Sequence, residues 1–250
     1  MQTSQEMLSV VQTQLAIELN CTVQDLNGAK DTMVFTCAKE NPGRRPFPRN
    51  EQHFEMLTMG NAIVVTASPE ILDIVKPQLV GKSRDEAFSL PFVYGHALAY
   101  LPDLSLPCAL PPCDGFAYTL LEQAEIPRLY PQKGFERALQ YDANHARPDV
   151  LAITAEQNGK LAAVAGASRD CDSMWQIGID VLPQYRSHGL ASFLVRRLTD
   201  EILRRGIVPY YCTSPSNISS QRVAHRAGYF PAWLCSYQGK FAGYELQPVN

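Results

Sequence analysis

Residues 174–206 constrain the fold more than any other stretch. Met174–Val181 is an apolar run of strand length, and a short turn follows through Leu182 to Tyr185. From Leu190 onward, Leu190, Phe193, Leu194, Leu198 and Ile202 fall on one face of a helix, while Arg196, Arg197, Asp200, Glu201, Arg204 and Arg205 lie mostly elsewhere. Gly206 can end that helix in the left-handed conformation. The unit is strand, turn and amphipathic helix, the building block of an α/β fold.

The flanking sequence extends the unit. Val150–Ala155 and Leu161–Ala167 are apolar runs joined by Glu156-Gln157-Asn158-Gly159-Lys160, and Asn-Gly favours the positive torsions of a tight hairpin turn. Ile207–Cys212 reads as a strand despite Pro209. Ser216 and Asn217 are caps for a helix running to Ala227, with Gly228 as its stop. Phe230–Tyr237 and Lys240–Tyr244, separated by Gln238-Gly239, read as a closing hairpin, so the order is β-β-β-α-β-α-β-β. Near the start, Met7, Leu8, Val11, Leu15 and Leu19 have helical spacing, with Gly28 just beyond this region. Asn41–Pro48 must be a loop because its prolines remove backbone donors. Its Arg44-Arg45 pair is either a grip for a phosphate or, preferably, a solvated charge run. Asn61–Ala67 is a β-branched strand, and Ser68 can cap a helix beginning at Pro69. Prolines at 102, 107, 111 and 112 suggest a connection between halves, with a boundary near 115–125. The expected division is residues 1–120, an N-terminal α/β domain, and 121–250.

Composition narrows the function. With 46% hydrophobic and 19% charged residues, the 250-residue chain is an ordinary globular one. No stretch approaches the ~18 apolar residues that cross a bilayer, and MQTSQEMLSV lacks the layout of a signal peptide, so no membrane and a cytoplasmic location are expected. Seven scattered cysteines, without CxxC or Cys/His spacing suited to zinc, argue for free thiols and against a disulfide framework or a metal site. A net charge of -3 argues against nucleic acid. Lys+Arg against Asp+Glu is 8 against 15 in residues 1–125, net -7, and 14 against 10 in 126–250, net +4. The second half could welcome an anion, or the two halves could complement each other electrostatically.

Arg186-Ser187-His188-Gly189-Leu190-Ala191 opens the amphipathic helix directly after a strand and turn. A helix N-terminus presents unpaired amides and a positive dipole end to an anion. Gly189 lets a diphosphate approach, Ala191 is small, and Arg186 and His188 can add charge or hydrogen bonds. There is no GxxxxGK[ST], and no GxGxxG after a strand.

This run fits the R/Q-x-x-G-x-G/A signature, and its setting, QIGIDVLPQYRSHGLA followed by SNISSQRVAHRAGYF, resembles the GNAT superfamily of N-acetyltransferases over roughly residues 126–250. Within it the chain is most similar to the zwittermicin-resistance type, which carries an extra N-terminal α/β part. The resemblance implies a mixed, mostly antiparallel, splayed sheet with flanking helices. It also implies acetyl-CoA as cosubstrate, no metal, and transfer of the acetyl group to a primary amine by direct attack in a ternary complex. Backbone groups of Ile179 and Val181 would hold the acyl-pantetheine, the amides from Arg186 through Ala191 the diphosphate, and Asn217 would take the place of the family's cofactor-contacting Asn. Strands 174–181 and 207–212 would splay apart, and Pro209 would cost less there. The acceptor would be a small-molecule or peptide amine, and the acidic first half, as a wall of its pocket, suggests a cationic one.

Two departures stand out. Ser187 replaces a common Gly, and Ala224 occupies the position where many members place a tyrosine that protonates the leaving thiolate. The third strand also begins Ser173-Met174-Trp175-Gln176 with no carboxylate, so Asp172 and Asp180 are the nearest candidate bases, each equally a structural carboxylate. Among Tyr210, Tyr211 and Tyr229, Tyr211 is the candidate acid, and at most one of Tyr210 and Tyr211 can face the cleft. These departures leave open a second reading, a catalytically silent acyl-CoA-binding or sensory module. The sequence leaves oligomeric state open.

Overall fold

The helical spacing near the start becomes α1 (Ser4–Leu19), which buries Met7, Val11, Leu15 and Leu19. The structure, a computed structural model, describes residues 3–47, 52–105 and 108–238, so the expected strand Lys240–Tyr244 and its turn through Gly239 lie outside the described residues. After α1 come α2 (Val23–Leu26), β1 (Met33–Cys37), β2 (Phe54–Thr58), β3 (Ile63–Ala67), α3 (Pro69–Leu79), α4 (Arg84–Phe88) and β4 (His96–Pro102). Then follow β5 (Ala117–Glu122), β6 (Asp149–Gln157), β7 (Lys160–Arg169), β8 (Met174–Val181), α5 (Leu190–Arg204), β9 (Val208–Thr213), α6 (Ile218–Arg226) and β10 (Tyr229–Gln238). The described strands pair mostly antiparallel. Residue contacts group the chain into two units. One comprises the described residues of Tyr100–Thr213 and Asn217–Pro231 with those through Leu8, the other the described residues of Ser9–Ala99, Ser214–Ser216 and those from Ala232 on.

In the unit containing Ser9–Ala99, β1 pairs parallel with β3, β3 antiparallel with β2, and β2 antiparallel with the Leu234–Gln238 part of β10. β3 is buried throughout, as its β-branched run requires. Ser68 and Pro69 start α3 as expected, although the Ser68 side chain makes no capping bond. Ile71, Val75 and Leu79 of α3 then pack against Phe54, Met56, Ile63 and Val65. The Arg44-Arg45 loop departs from the solvated reading. Arg45 is buried, donates through Nε and Nη2 to the Glu18 carboxylate, and lies 5.0 Å from the Phe47 ring centroid. A buried guanidinium needs such a partner, and sequence spacing does not reveal one 27 residues away.

In the unit containing Tyr100–Thr213, strand order is β9-β8-β7-β6-β5, antiparallel except for the parallel β8–β9 pair. Asn158 and Gly159 both take positive φ, 51° and 72°, and close the β6–β7 hairpin as their chemistry predicts. β5 falls inside the stretch expected to hold a boundary and pairs along its length with β6. It is mostly exposed, which left no alternating pattern to find.

β7 has the sequence KLAAVAGASR, and its small residues admit close neighbours on both faces. Ala163, Ala165 and Ala167 alternate with Val164 and Gly166, and α5 packs on β6, β7 and β8. On the Val164 and Gly166 face lie Phe135, Ala138 and Leu139. Gly166 pairs with Gly178 across β7 and β8. A Cβ on Gly166 would lie 1.9 Å from the Ala138 carbonyl oxygen, and one on Gly178 would lie 1.9 Å from that of Arg137. The loop therefore rests directly on a glycine pair.

Gly178→Ala should lower stability by about 1–3 kcal/mol, because the obstructing atoms are backbone and cannot rotate away. Urea unfolding reads this, and an unchanged midpoint would show that the loop lifts without cost.

Candidate functional site

The site begins where two strands stop pairing. The β8–β9 register runs from Met174 opposite Val208 to Ile177 opposite Tyr211, whereas β8–β7 pairing continues to Val181 opposite Ala163. Among the described residues, Gly178–Val181 pair with β7 alone, which leaves backbone groups of this segment without a strand on the β9 side. Pro209 lies in the paired part, opposite Trp175, and not in a splayed one. Val208 donates its N–H to Ser173 on the β8 side, so the next residue's nitrogen faces away from β8 and proline removes no bond of this ladder.

Beyond Val181 a 3-10 turn, Pro183–Tyr185, carries the chain to α5. The Arg186 Nε turns back to donate to the Val181 carbonyl at 3.1 Å, tying the loop to the strand end. Arg186, Ser187, His188 and Gly189 are exposed, and Gly189 is the N-cap with φ 84°. An added Cβ at Gly189 would meet only Cys113 Sγ at 3.7 Å, so the positive φ is what demands glycine there. Ser187 also has positive φ, 69°, where a side chain costs about 1–2 kcal/mol. Among the described residues no acceptor is found for the amides of Ser187, His188 and Gly189. Leu190 and Ala191 begin the helix, where amides have no partner one turn back. These open amides fit a diphosphate, and the one-sided end of β8 fits an extended pantetheine arm.

Of the other residues singled out from sequence, some gather here and some do not. Ile179 and Val181 lie in the one-sided segment, half-buried. Asn217 caps α6, its side-chain oxygen accepting from the Ser220 amide at 3.1 Å. Tyr211 stands at the last ladder pair, buried, its hydroxyl 2.6 Å from Ser220 Oγ. Burial raises its pKa, and the Ser220 hydrogen bond offsets part of that. Tyr210 belongs to a different group, bonded to Asp170 and, at 3.1 Å, to Gln176, so the two tyrosines point to opposite faces. Tyr229 is buried with its hydroxyl 2.6 Å from Thr199.

Asp180 anchors the loop on the glycine pair. Its Oδ2 accepts from the Arg137 amide at 2.7 Å and the Ala138 amide at 3.1 Å, and burial raises its pKa against the lowering effect of those bonds. Asp172 is exposed at the bend before β8, about 20 Å along an extended chain from Gly178. Ala224 is fully buried, so its position faces the core of this unit. Two residues near the fork went unmarked in the sequence. Ser220 and Cys113 have no composition signal, and only the fold brings them to Tyr211 and to His188.

Residues 117–229 match the model of the acetyltransferase (GNAT) family, from the first residue of β5 to the first of β10, and the chain carries a GNAT domain over that stretch. The match spans somewhat less than half of the 250 residues. No curated protein matches the chain. An acetyltransferase of the GNAT family from Colwellia psychrerythraea is 17% identical, with 58% of this chain and 56% of that one covered and a TM-score of 0.43. A GCN5-related N-acetyltransferase-like protein from Streptococcus suis is 16% identical, with 72% of each chain covered and a TM-score of 0.44. The aminoglycoside N-acetyltransferase AAC(6')-Iy, in complex with CoA, is 21% identical, covering 50% of this chain and 93% of that one, with a TM-score of 0.36. This chain thus spans little more than half the length of the Colwellia protein. Among the described residues no helix is long and apolar enough to cross a membrane, and no group of three or more His, Cys, Asp or Glu could hold a metal ion.

Two measurements follow from this geometry. A tyrosine at the fully buried Ala224 overpacks the unit, so Ala224→Tyr should destabilise by about 1–3 kcal/mol in thermal or urea unfolding. Asp180 has a folded pKa raised above its unfolded value, so the native state holds its proton longer. The stability of wild type relative to Asp180→Asn should be greatest below the ordinary carboxylate pKa and fall as pH rises through the raised value. Urea midpoints across that window check the sign, and a rising difference would show that its amide bonds outweigh burial.

Proposed function

We propose that this protein is an acetyl-CoA-dependent N-acetyltransferase acting on a primary amine of a small-molecule or peptide acceptor, by direct attack in a ternary complex. One observation carries the reading: open helix-start amides follow a strand end paired on one side only, inside a segment that matches the GNAT model. The amides of Ser187–Ala191 would take the CoA diphosphate, and backbone groups of Ile179 and Val181 the pantetheine. Asn217, the cap of α6, would add a side-chain contact. In the transfer a C–N bond forms at the acetyl carbonyl carbon, the C–S bond breaks, the thiolate leaves and the amine gives up a proton.

Tyr211 is the proton donor we favour for the thiolate, since it stands at the last ladder pair with Ser220 on its hydroxyl. Asp180 is committed to two backbone amides and Asp172 is distant along the strand, so water is the preferred route for the amine's proton. The net -7 of residues 1–125 favours a cationic amine. An N-terminal α/β part ahead of the GNAT segment suits the zwittermicin-resistance type, and seven free thiols suit the cytoplasm. The buried Ala224, with no proton to give, keeps the silent acyl-CoA-binding module as the second reading.

Gly189→Glu should abolish CoA binding by isothermal titration while leaving the fold intact by circular dichroism, because it fills the amide cradle and repels phosphate. Unchanged affinity would sink the site assignment. A thiol-release assay with acetyl-CoA across an amine panel should show turnover, and binding without release for every amine would favour the silent module.

A further inference from the structure

The segment Cys108-Ala109-Leu110-Pro111-Pro112-Cys113 leads into β5, and at its end the Cys113 thiol donates to the carbonyl oxygen of His188 at 3.0 Å. Nothing in the sequence links these residues, which are 75 positions apart. The thiol is held firmly. Tyr118 accepts from the Cys113 amide at 2.9 Å and donates back to the Cys113 carbonyl at 3.1 Å. The Tyr118 ring lies 4.8 Å from that of Phe193, a buried residue in the first turn of α5. Burial pushes the Tyr118 phenol up to about 12, so it stays protonated and can both donate and accept across ordinary pH. Phe116 packs edge-on against Tyr185 at 6.1 Å, which fixes the same strap to the turn before the loop.

A trans peptide points its C=O and N–H in opposite directions within one plane. The unit linking His188 to Gly189 has its oxygen held toward the strap by Cys113, so its N–H, that of Gly189, is aimed away from the strap. Without the thiol bond, the exposed His188–Gly189 peptide could turn about the glycine's permissive torsions and direct its carbonyl outward. We infer that Cys113 is a positioning residue for the anion site, holding the Gly189 amide in the orientation that receives the diphosphate. The inference rests on the acetyl-CoA reading and adds to it a specific control over the diphosphate end of the ligand, as distinct from the pantetheine end. The His188 side chain, exposed at the same position, takes no part in this bond.

Cys113→Val keeps the volume and removes the donor, whereas Cys113→Ser restores one. Isothermal titration of the full chain with CoA, and with pantetheine as the probe lacking the diphosphate, separates the two ends of the ligand. The valine variant should bind CoA about tenfold more weakly, the size of one charge-assisted hydrogen bond misdirected. Its pantetheine affinity and melting temperature should be unchanged, and the serine variant should recover most of the CoA affinity. The inference is overturned if the valine variant binds CoA like wild type, if it loses CoA and pantetheine equally, or if the folded serine variant fails to recover. Should the valine variant not fold, Tyr118→Phe removes the clamp on Cys113 while keeping the ring, and must show the same CoA-selective loss. Failure of wild type to bind CoA, or wild-type affinity in Gly189→Glu, would sink the acetyl-CoA reading itself. Normal CoA binding by wild type with an unaffected valine variant would sink only the role of Cys113.

Discussion

The glycine pair Gly166–Gly178, covered on one face by the Arg137–Ala138 backbone, is the constraint on which the domain's site depends. It lets a loop lie flat on the centre of β7 and β8, and α5 packs on the same two strands. Both neighbours are thereby set at fixed heights above the same two strands. The N-terminus of α5 is delivered at a definite place beside the end of β8, which is the geometry an anion beside an extended ligand requires.

Two carboxylates, one buried and one half-buried, secure that loop. Asp180 accepts from the amides of Arg137 and Ala138, and Asp149, on β6, accepts from the Gln140 amide and from the Tyr130 hydroxyl at 2.9 Å. Burial raises the pKa of each, so the bonds they accept are what make their charged forms tolerable inside the unit. Asp170, also buried, accepts from the Tyr210 and Ser168 hydroxyls and pairs with Arg147. These groups read in sequence as interchangeable acidic residues, yet each has a separate structural task. That is why Asp180, a plausible base by its place on the third strand, is better described as an anchor.

Legibility followed the range of the interactions. The β6–β7 hairpin, α5 and its stop at Gly206, and α6 with Asn217 as cap depend on neighbours within a few residues, and local torsion and periodicity reveal such elements. β5 and the short helices α2 and α4 went unread, since exposed or brief elements leave little pattern, and β1, β2 and β4 went unread as well, although β2 and β4 are mostly buried. The Arg45–Glu18 pair misled because a basic dipeptide in a proline-rich loop looks solvated until a partner 27 residues away is known.

By itself the sequence determined the open helix start at residues 186–191, on which the proposed anion site rests, since a strand, a short turn and a glycine before an amphipathic helix create open amides by local geometry alone. It also determined that residue 224 has no proton to give. Only the tertiary structure decided where the β8–β9 ladder ends, because register is a property of two strands and cannot be read from either. The same holds for the contacts of Tyr211 with Ser220 and of Cys113 with His188. Hydrogen bonds between residues distant in sequence are chosen by packing, and packing exists only once the chain has folded.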